Sequence, residues 1–112
     1  ILIIISIVIL ISRSFKNLQK TNNIKQFIDD NAVIIDVRSE SEFNSGNLRG
    51  SVNVPLKDLM YRVNEFEKEK KYITVCTVGM RAESAKKFFE KKGYQVVNGG
   101  RWSTLKDLRN NT

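Results

Sequence analysis

Cys76 is the only cysteine in a chain of 112 residues that contains no histidine. Those two facts bound the chemistry. A Cys–His or Ser–His pair cannot form, nor can a zinc site built on imidazole or on several thiolates. A reactive Cys76 must therefore rely on backbone dipoles and cations, since thiolates are favoured at helix N-termini and beside Arg or Lys. The stretch that it opens, Cys76-Thr77-Val78-Gly79-Met80-Arg81, offers both.

The flanking residues predict how that stretch is held. Tyr72-Ile73-Thr74-Val75 is apolar and β-branched, the signature of a buried strand. Glu83 to Lys92 sets Ala85, Phe88 and Phe89 on one helical face, and Gly93 ends it. A strand, a glycine-containing loop and a helix start together aim backbone N–H groups at a negative charge. A cysteine ending a buried strand is often inert packing, but Gly79, Arg81 and the helix start favour a working thiol.

With 41% hydrophobic and 28% charged residues, the composition fits one folded domain rather than a disordered chain. One cysteine permits no internal disulfide, so bridges do not decide the redox compartment. The net charge is +7, but lysines and glutamates interleave at helical spacing, as on a solvated surface. The basic balance also suits anionic lipid or a small anionic substrate. No basic block with interleaved aromatics occurs, so nucleic acid is not an expected partner.

Residues 1–12 carry no charge. As a helix they span about 18 Å, short of the roughly 30 Å hydrocarbon core, so they are expected to be part of a longer span. A membrane anchor is the favoured reading; a signal-peptide segment and a buried core strand compete with it. Arg13 and Lys16 follow directly with no small-residue cleavage pattern, which favours an anchor with the domain on the cytoplasmic side over export.

Beyond this segment, residues 13–108 are expected to form the domain and 109–112 a tail. Residues from Asn17 predict a short entry strand, then a helix with Ile24, Phe27 and Ile28 inward, stopped at Asp30-Asn31. Ala32 to Ile35 predicts a strand buried on both faces, leading to Asp36-Val37-Arg38. Ser39 and Glu42 form a capping box for a short helical turn. Ser51 to Val54 predicts a strand stopped by Pro55, and Asp58 to Lys68 a helix with Leu59, Val63 and Phe66 inward. Gln95 to Val97 is a last strand, Asn98-Gly99-Gly100 a tight turn, and Ser103 to Leu108 a closing helical turn. The alternation predicts an α/β fold: a small, mostly parallel, five-stranded sheet with helices on both faces. Ligands of such sheets sit at the carboxyl ends of strands, where the loops after Ile35 and Val75 leave.

Four pieces in this order resemble the single-domain rhodanese sulfurtransferases. They are Asp36-Val37-Arg38 with Glu42-Phe43, then Gly46 to Leu56, then Cys76 to Arg81, then Gly99-Gly100 with Trp102. The resemblance covers about residues 16–108. It implies that Cys76 is the catalytic nucleophile, taking a sulfane sulfur from thiosulfate or a persulfide and passing it to cyanide or a thiol. It also implies that Thr77, Val78, Gly79, Met80, Arg81 and Ala82 form the persulfide-binding loop, with Arg81 contacting an anion. Asp36, Arg38 and Glu42 support the site, and Arg38 with Glu42 suggests a local ion pair.

Family members with six residues from Cys to Arg resemble sulfurtransferases, and those with one more resemble phosphatases; here the count is six. No metal or cofactor is implied. The expected partners are a small anionic sulfur donor, a thiol or protein acceptor, and a membrane through residues 1–12, for a monomeric protein. The chain departs from the family pattern at Asn47, Arg49 and Ala82, where histidine, proline and a small hydroxyl residue are usual. Thr77 is left as the loop's hydroxyl. That departure motivates an alternative, a non-catalytic binding or sulfur-relay module within a complex.

Overall fold

Apolar runs of two periods alternate along the chain, and each becomes the element that its period requires. The computed structural model describes the backbone of residues 1–110 and the side chains of residues 1–109. The strands are β1 (Val33–Asp36), β2 (Val52–Asn53), β3 (Lys71–Cys76) and β4 (Gln95–Arg101). They form one sheet in the order β2-β1-β3-β4, and every pairing is parallel. Ile34, Ile35, Ile73 and Val75 are buried, as continuous apolar runs in a doubly covered sheet must be.

The helices are α1 (Leu2–Asp29), α2 (Glu40–Ser45), α3 (Leu56–Arg62), α4 (Met80–Lys91) and α5 (Thr104–Asn110). α1 and α5 cover one face, packing Ile24 and Leu105 with Ile34, Ile73 and Val75. α3 and α4 cover the other, packing Leu59, Ala85 and Phe89 with Ile35, Tyr72 and Val96. There Tyr72 stacks on Phe89 at 5.6 Å, with Phe66 and Tyr94 edge-on to both. The Tyr94 hydroxyl donates to the carbonyls of Val63 and Phe66, so its burial leaves no unmet polar group.

Three expectations are corrected. No entry strand forms near Asn17: α1 runs through it, so the described residues hold four strands rather than five. Between Leu2 and Asp29 there is neither Gly nor Pro, and Ile24, Phe27 and Ile28 keep helical spacing, so an established helix propagates. Asn98-Gly99-Gly100 is not a turn. β4 continues through it with a bulge, pairing Asn98 with Thr74 and Gly100 with Val75. Gly99 permits this approach, since a Cβ there would lie 2.7 Å from Ile73 Cγ2. The helix expected over 58–68 is shorter. α3 gives way to a 3-10 turn, Val63–Glu65, although Leu59 and Val63 are buried and Phe66 packs on the core as expected.

The Ser39–Glu42 capping box is present in both directions. α5 extends two residues into the expected tail, and Asn111 and Thr112 lie outside the described residues.

α1 divides into two halves. Its later turns pack on the sheet, while the large apolar side chains of residues 1–11 are 45–93% exposed. This excludes a core strand for residues 1–12. α1 is long and apolar enough to cross a membrane, with a mean hydropathy of 1.5 over an 18-residue window, none of it buried. A signal sequence near an N-terminus has the same composition.

Candidate active site

β1 and β3 are neighbours, with Asp36 in register with Val75, so the loops after Asp36 and after Cys76 leave the same edge of the sheet. Cys76 ends β3 and is buried. Its Sγ accepts the Gly79 N–H at 2.9 Å and the Ala82 N–H at 3.4 Å. The chain can curl over the sulfur because Gly79 takes φ 98°, a left-handed conformation that glycine adopts without strain.

α4 therefore starts at Met80, not Glu83, and its first turn caps the thiol. Of the loop N–H groups, those of Gly79 and Ala82 donate to sulfur among the described hydrogen bonds. Thr77, Val78 and Met80 lie exposed on the loop's outer side.

Arg81 is engaged within the protein. Its Nη1 and Nη2 donate to the two Glu42 carboxylate oxygens at 2.7 and 3.0 Å, a bidentate pair. Nη2 also donates to Thr77 Oγ1, and the Thr77 hydroxyl donates to Glu42. Thr77 thus belongs to this clamp and does not replace the family's loop hydroxyl at the sulfur. Hydrogen bonds from Arg81, then from the Ser39 backbone, hold the Glu42 carboxyl far below its ordinary 4.5. The same pairing raises the Arg81 guanidinium.

The expected Arg38–Glu42 ion pair does not form. Arg38 turns inward to Asp36, donating from Nε at 2.9 and 3.0 Å and from Nη2 at 2.7 Å, with both side chains buried. The desolvated carboxylate of Asp36 lies two residues away, whereas that of Glu42 faces the loop after β3. Arg38 reaches only backbone beyond Asp36: the Glu42 carbonyl at 3.2 Å and the Gly46 carbonyl at 2.7 Å. Its guanidinium lies 4.7 Å from the Trp102 ring centre, and the Trp102 N–H donates to the Cys76 carbonyl at 2.9 Å. Asp36 and Arg38 are thus a buried strut under the segment that presents Glu42.

Two residues of this scaffold are missing from the sequence reading. Asn98 donates to the Gly79 carbonyl and to Glu83, both at 3.1 Å, and accepts from the Gly100 N–H. The Thr74 hydroxyl donates to the Ala82 carbonyl at 2.8 Å. Their signal is a polar residue inside an apolar strand that leads into a loop. Two cavities lie on this part of the domain, and Arg81 is the one residue of the Cys76–Arg81 stretch that lines either. One of about 350 Å³ is lined by Val37, Pro55, Leu56 and Arg81, and one of about 700 Å³ by Asn47, Arg49, Trp102 and Lys106. Cys76 lines neither.

The model of the rhodanese-like domain matches residues 16–101. The chain belongs to the rhodanese-like family. Among curated relatives, the Bacillus subtilis protein named "Putative sulfurtransferase YtwF" is 29% identical over 70 residues, covering 62% of this chain and 68% of that protein. A tRNA uridine(34) hydroxylase of Pelagibacter ubique is 32% identical over 111 residues, covering 88% of this chain. The chain spans only 36% of that hydroxylase.

A rhodanese-related protein of Thermoplasma volcanium superposes with a TM-score of 0.66 at 27% identity, covering 78% of this chain and 88% of its own. A rhodanese from E. coli, solved with anions, gives a TM-score of 0.60 at 27% identity, covering 64% and 88%. The rhodanese-like segment excludes the first 15 residues and includes the strut, the clamp and the Cys76 loop. Membership ties the chain to a sulfurtransferase-type family.

Proposed function

We propose that this protein is a sulfurtransferase that carries sulfane sulfur on Cys76. The observation that carries the reading is a lone thiol closing β3, with two backbone N–H groups directed at its sulfur inside a six-residue Cys-to-Arg loop. In the first step the Cys76 thiolate attacks the outer sulfur of thiosulfate. The donor's S–S bond breaks, sulfite leaves with the electron pair, and Cys76 holds a persulfide.

In the second step cyanide or a thiol attacks the terminal sulfur, the new S–S bond breaks, and the Cys76 thiolate returns. The N–H donors of Gly79 and Ala82 share the negative charge at both stages. Since Cys76 is buried, a donor enters by displacing the exposed Thr77–Met80 side of the loop. Thiocyanate formation from thiosulfate and cyanide tests the reading. The wild-type chain is expected to turn over and Cys76→Ser to be inactive; equal rates in both would overturn it.

The apolar half of α1 is the membrane anchor in this reading, and Arg13 and Lys16 keep the domain on the cytoplasmic side. A second reading is favoured by the absence of a hydroxyl at Ala82 and by the engagement of Thr77 with Glu42. In it, Cys76 relays sulfur to a protein thiol rather than to a small acceptor. Loaded protein that transfers sulfur to a partner thiol but not to cyanide distinguishes relay from enzyme.

A further inference from the structure

We infer that the Cys76 loop faces the surface of an anionic membrane, with Val78 and Met80 as its outermost contacts. The inference rests on the membrane-anchor reading of α1 and adds the orientation of the site. α1 leads into β1 through the turn at Asp30–Asn31 and packs on the sheet, so it runs antiparallel to the strands. Two sets of neighbours fix its direction. At the amino end of the sheet, Lys71, the first residue of β3, pairs with Asp30 at 2.6 Å and lies over Phe27.

At the carboxyl end, Lys16, Lys20 and Ile24 share one cavity wall with Glu83 and Asn98. Asn98 is the residue that holds the Gly79 carbonyl. Ile24 thus packs at mid-sheet with Ile34, Ile73 and Val75, and the Lys16 end of the stretch lies toward the Cys76 loop.

From Lys16 to Ile11 is five residues, about 8 Å of helix. No glycine, proline or flexible linker intervenes, so the exposed apolar turns extend directly beyond the end of the sheet that carries the thiol. Once those turns enter hydrocarbon, that end of the domain stands at the headgroup layer.

The residues there suit such a layer. Arg13, Lys16 and Lys20 are exposed on α1, Arg101 is exposed at the end of β4, and Asp29 is the first acidic residue of the chain. Phe15 and Leu18 are exposed among these cations, and Val78 and Met80 are 67% and 77% exposed. Exposed apolar side chains interleaved with cations match an anionic interface. The acidic pair Glu40 and Asp58 borders the cavity beside Arg81, on the opposite face of the sheet from α1.

Site-directed fluorescence on the full chain tests this orientation. In a Cys76→Ser background, Val78→Cys and, separately, Met80→Cys each give one labelling site at an exposed position. Glu69→Cys gives one at the opposite end of the sheet. The probes are vesicles of phosphatidylcholine and phosphatidylglycerol carrying a nitroxide quencher on the headgroups. The label at 78 or 80 is expected to lose fluorescence on vesicle binding, and the label at 69 to keep it. Equal quenching at both ends, or quenching at 69 alone, in protein that floats with the vesicles overturns the orientation and leaves the anchor standing. Protein that fails to float overturns both.

Discussion

The loops after β1 and after β3 leave the same edge of the sheet, and each carries an arginine paired with a carboxylate. Arg38 and Asp36 are buried side by side, their side chains 5% and 0% exposed, whereas Arg81 and Glu42 are 39% and 38% exposed. The first pair has no water to fall back on and must stay closed. The second trades its contacts with solvent and can open. One edge therefore combines a fixed strut with a releasable clamp over a buried thiol. The ion pair that decides stability is not the one beside the buried thiol.

The most severe way to break this comparison is Asp36→Ala. It leaves the Arg38 charge buried without its carboxylate, which costs about 3–5 kcal/mol. Denaturant unfolding should register that loss; a change below about 1 kcal/mol would reduce the strut to an ordinary surface pair. Asn98→Ala comes next. It leaves the Gly100 N–H without its side-chain partner, at about 1–3 kcal/mol, while the Gly79 carbonyl loses one of two donors and keeps the Glu83 N–H. Amide exchange at Gly79 and Ala82 should quicken with it.

Arg81→Ala should lower unfolding stability less than either change. Its sulfurtransfer from thiosulfate should fall roughly ten- to a hundredfold, the value of one charge-assisted hydrogen bond. Arg81→Lys, which keeps the charge and loses the bidentate grip, should fall between. Wild-type rates in Arg81→Ala would remove the clamp from the reaction.

Why the clamp escaped the sequence is a matter of distance along the chain. Arg38 and Glu42 are four residues apart and satisfy a local pairing rule, but Arg38 precedes the Ser39 N-cap and so lies outside the helix that carries Glu42, and the buried Asp36 carboxylate competes at shorter range. The partner that Glu42 takes is 39 residues away, and only the parallel pairing of β1 with β3 brings it near. Features written in local spacing were legible: the Ser39–Glu42 capping box, the apolar strand into Cys76, and the Ala85 and Phe89 face of α4. The bulge at Gly99 was hidden, because a glycine pair reads as a turn unless the neighbouring strand is known. The loop after Cys76 was legible in composition, but which N–H groups meet the sulfur depends on Gly79 adopting a left-handed φ.

The smallest expected effect sharpens the contrast in acid. Glu42 is held below its ordinary value in the folded protein. Its contribution is complete above the unfolded carboxylate value of about 4.3 and fades as the pH falls toward the folded one. Glu42→Gln should therefore lower stability slightly at neutral pH and flatten the acid limb below about pH 4, so that the two profiles converge as the pH falls. An unaltered acid limb would mean that the pair is open in solution.

The most direct measurement is the intact mass of the protein after incubation with thiosulfate and removal of the excess. Persulfide chemistry at Cys76 predicts a gain of one sulfur atom, erased by cyanide and absent in Cys76→Ser. An unchanged mass in wild-type protein, or the same gain in Cys76→Ser, would contradict it.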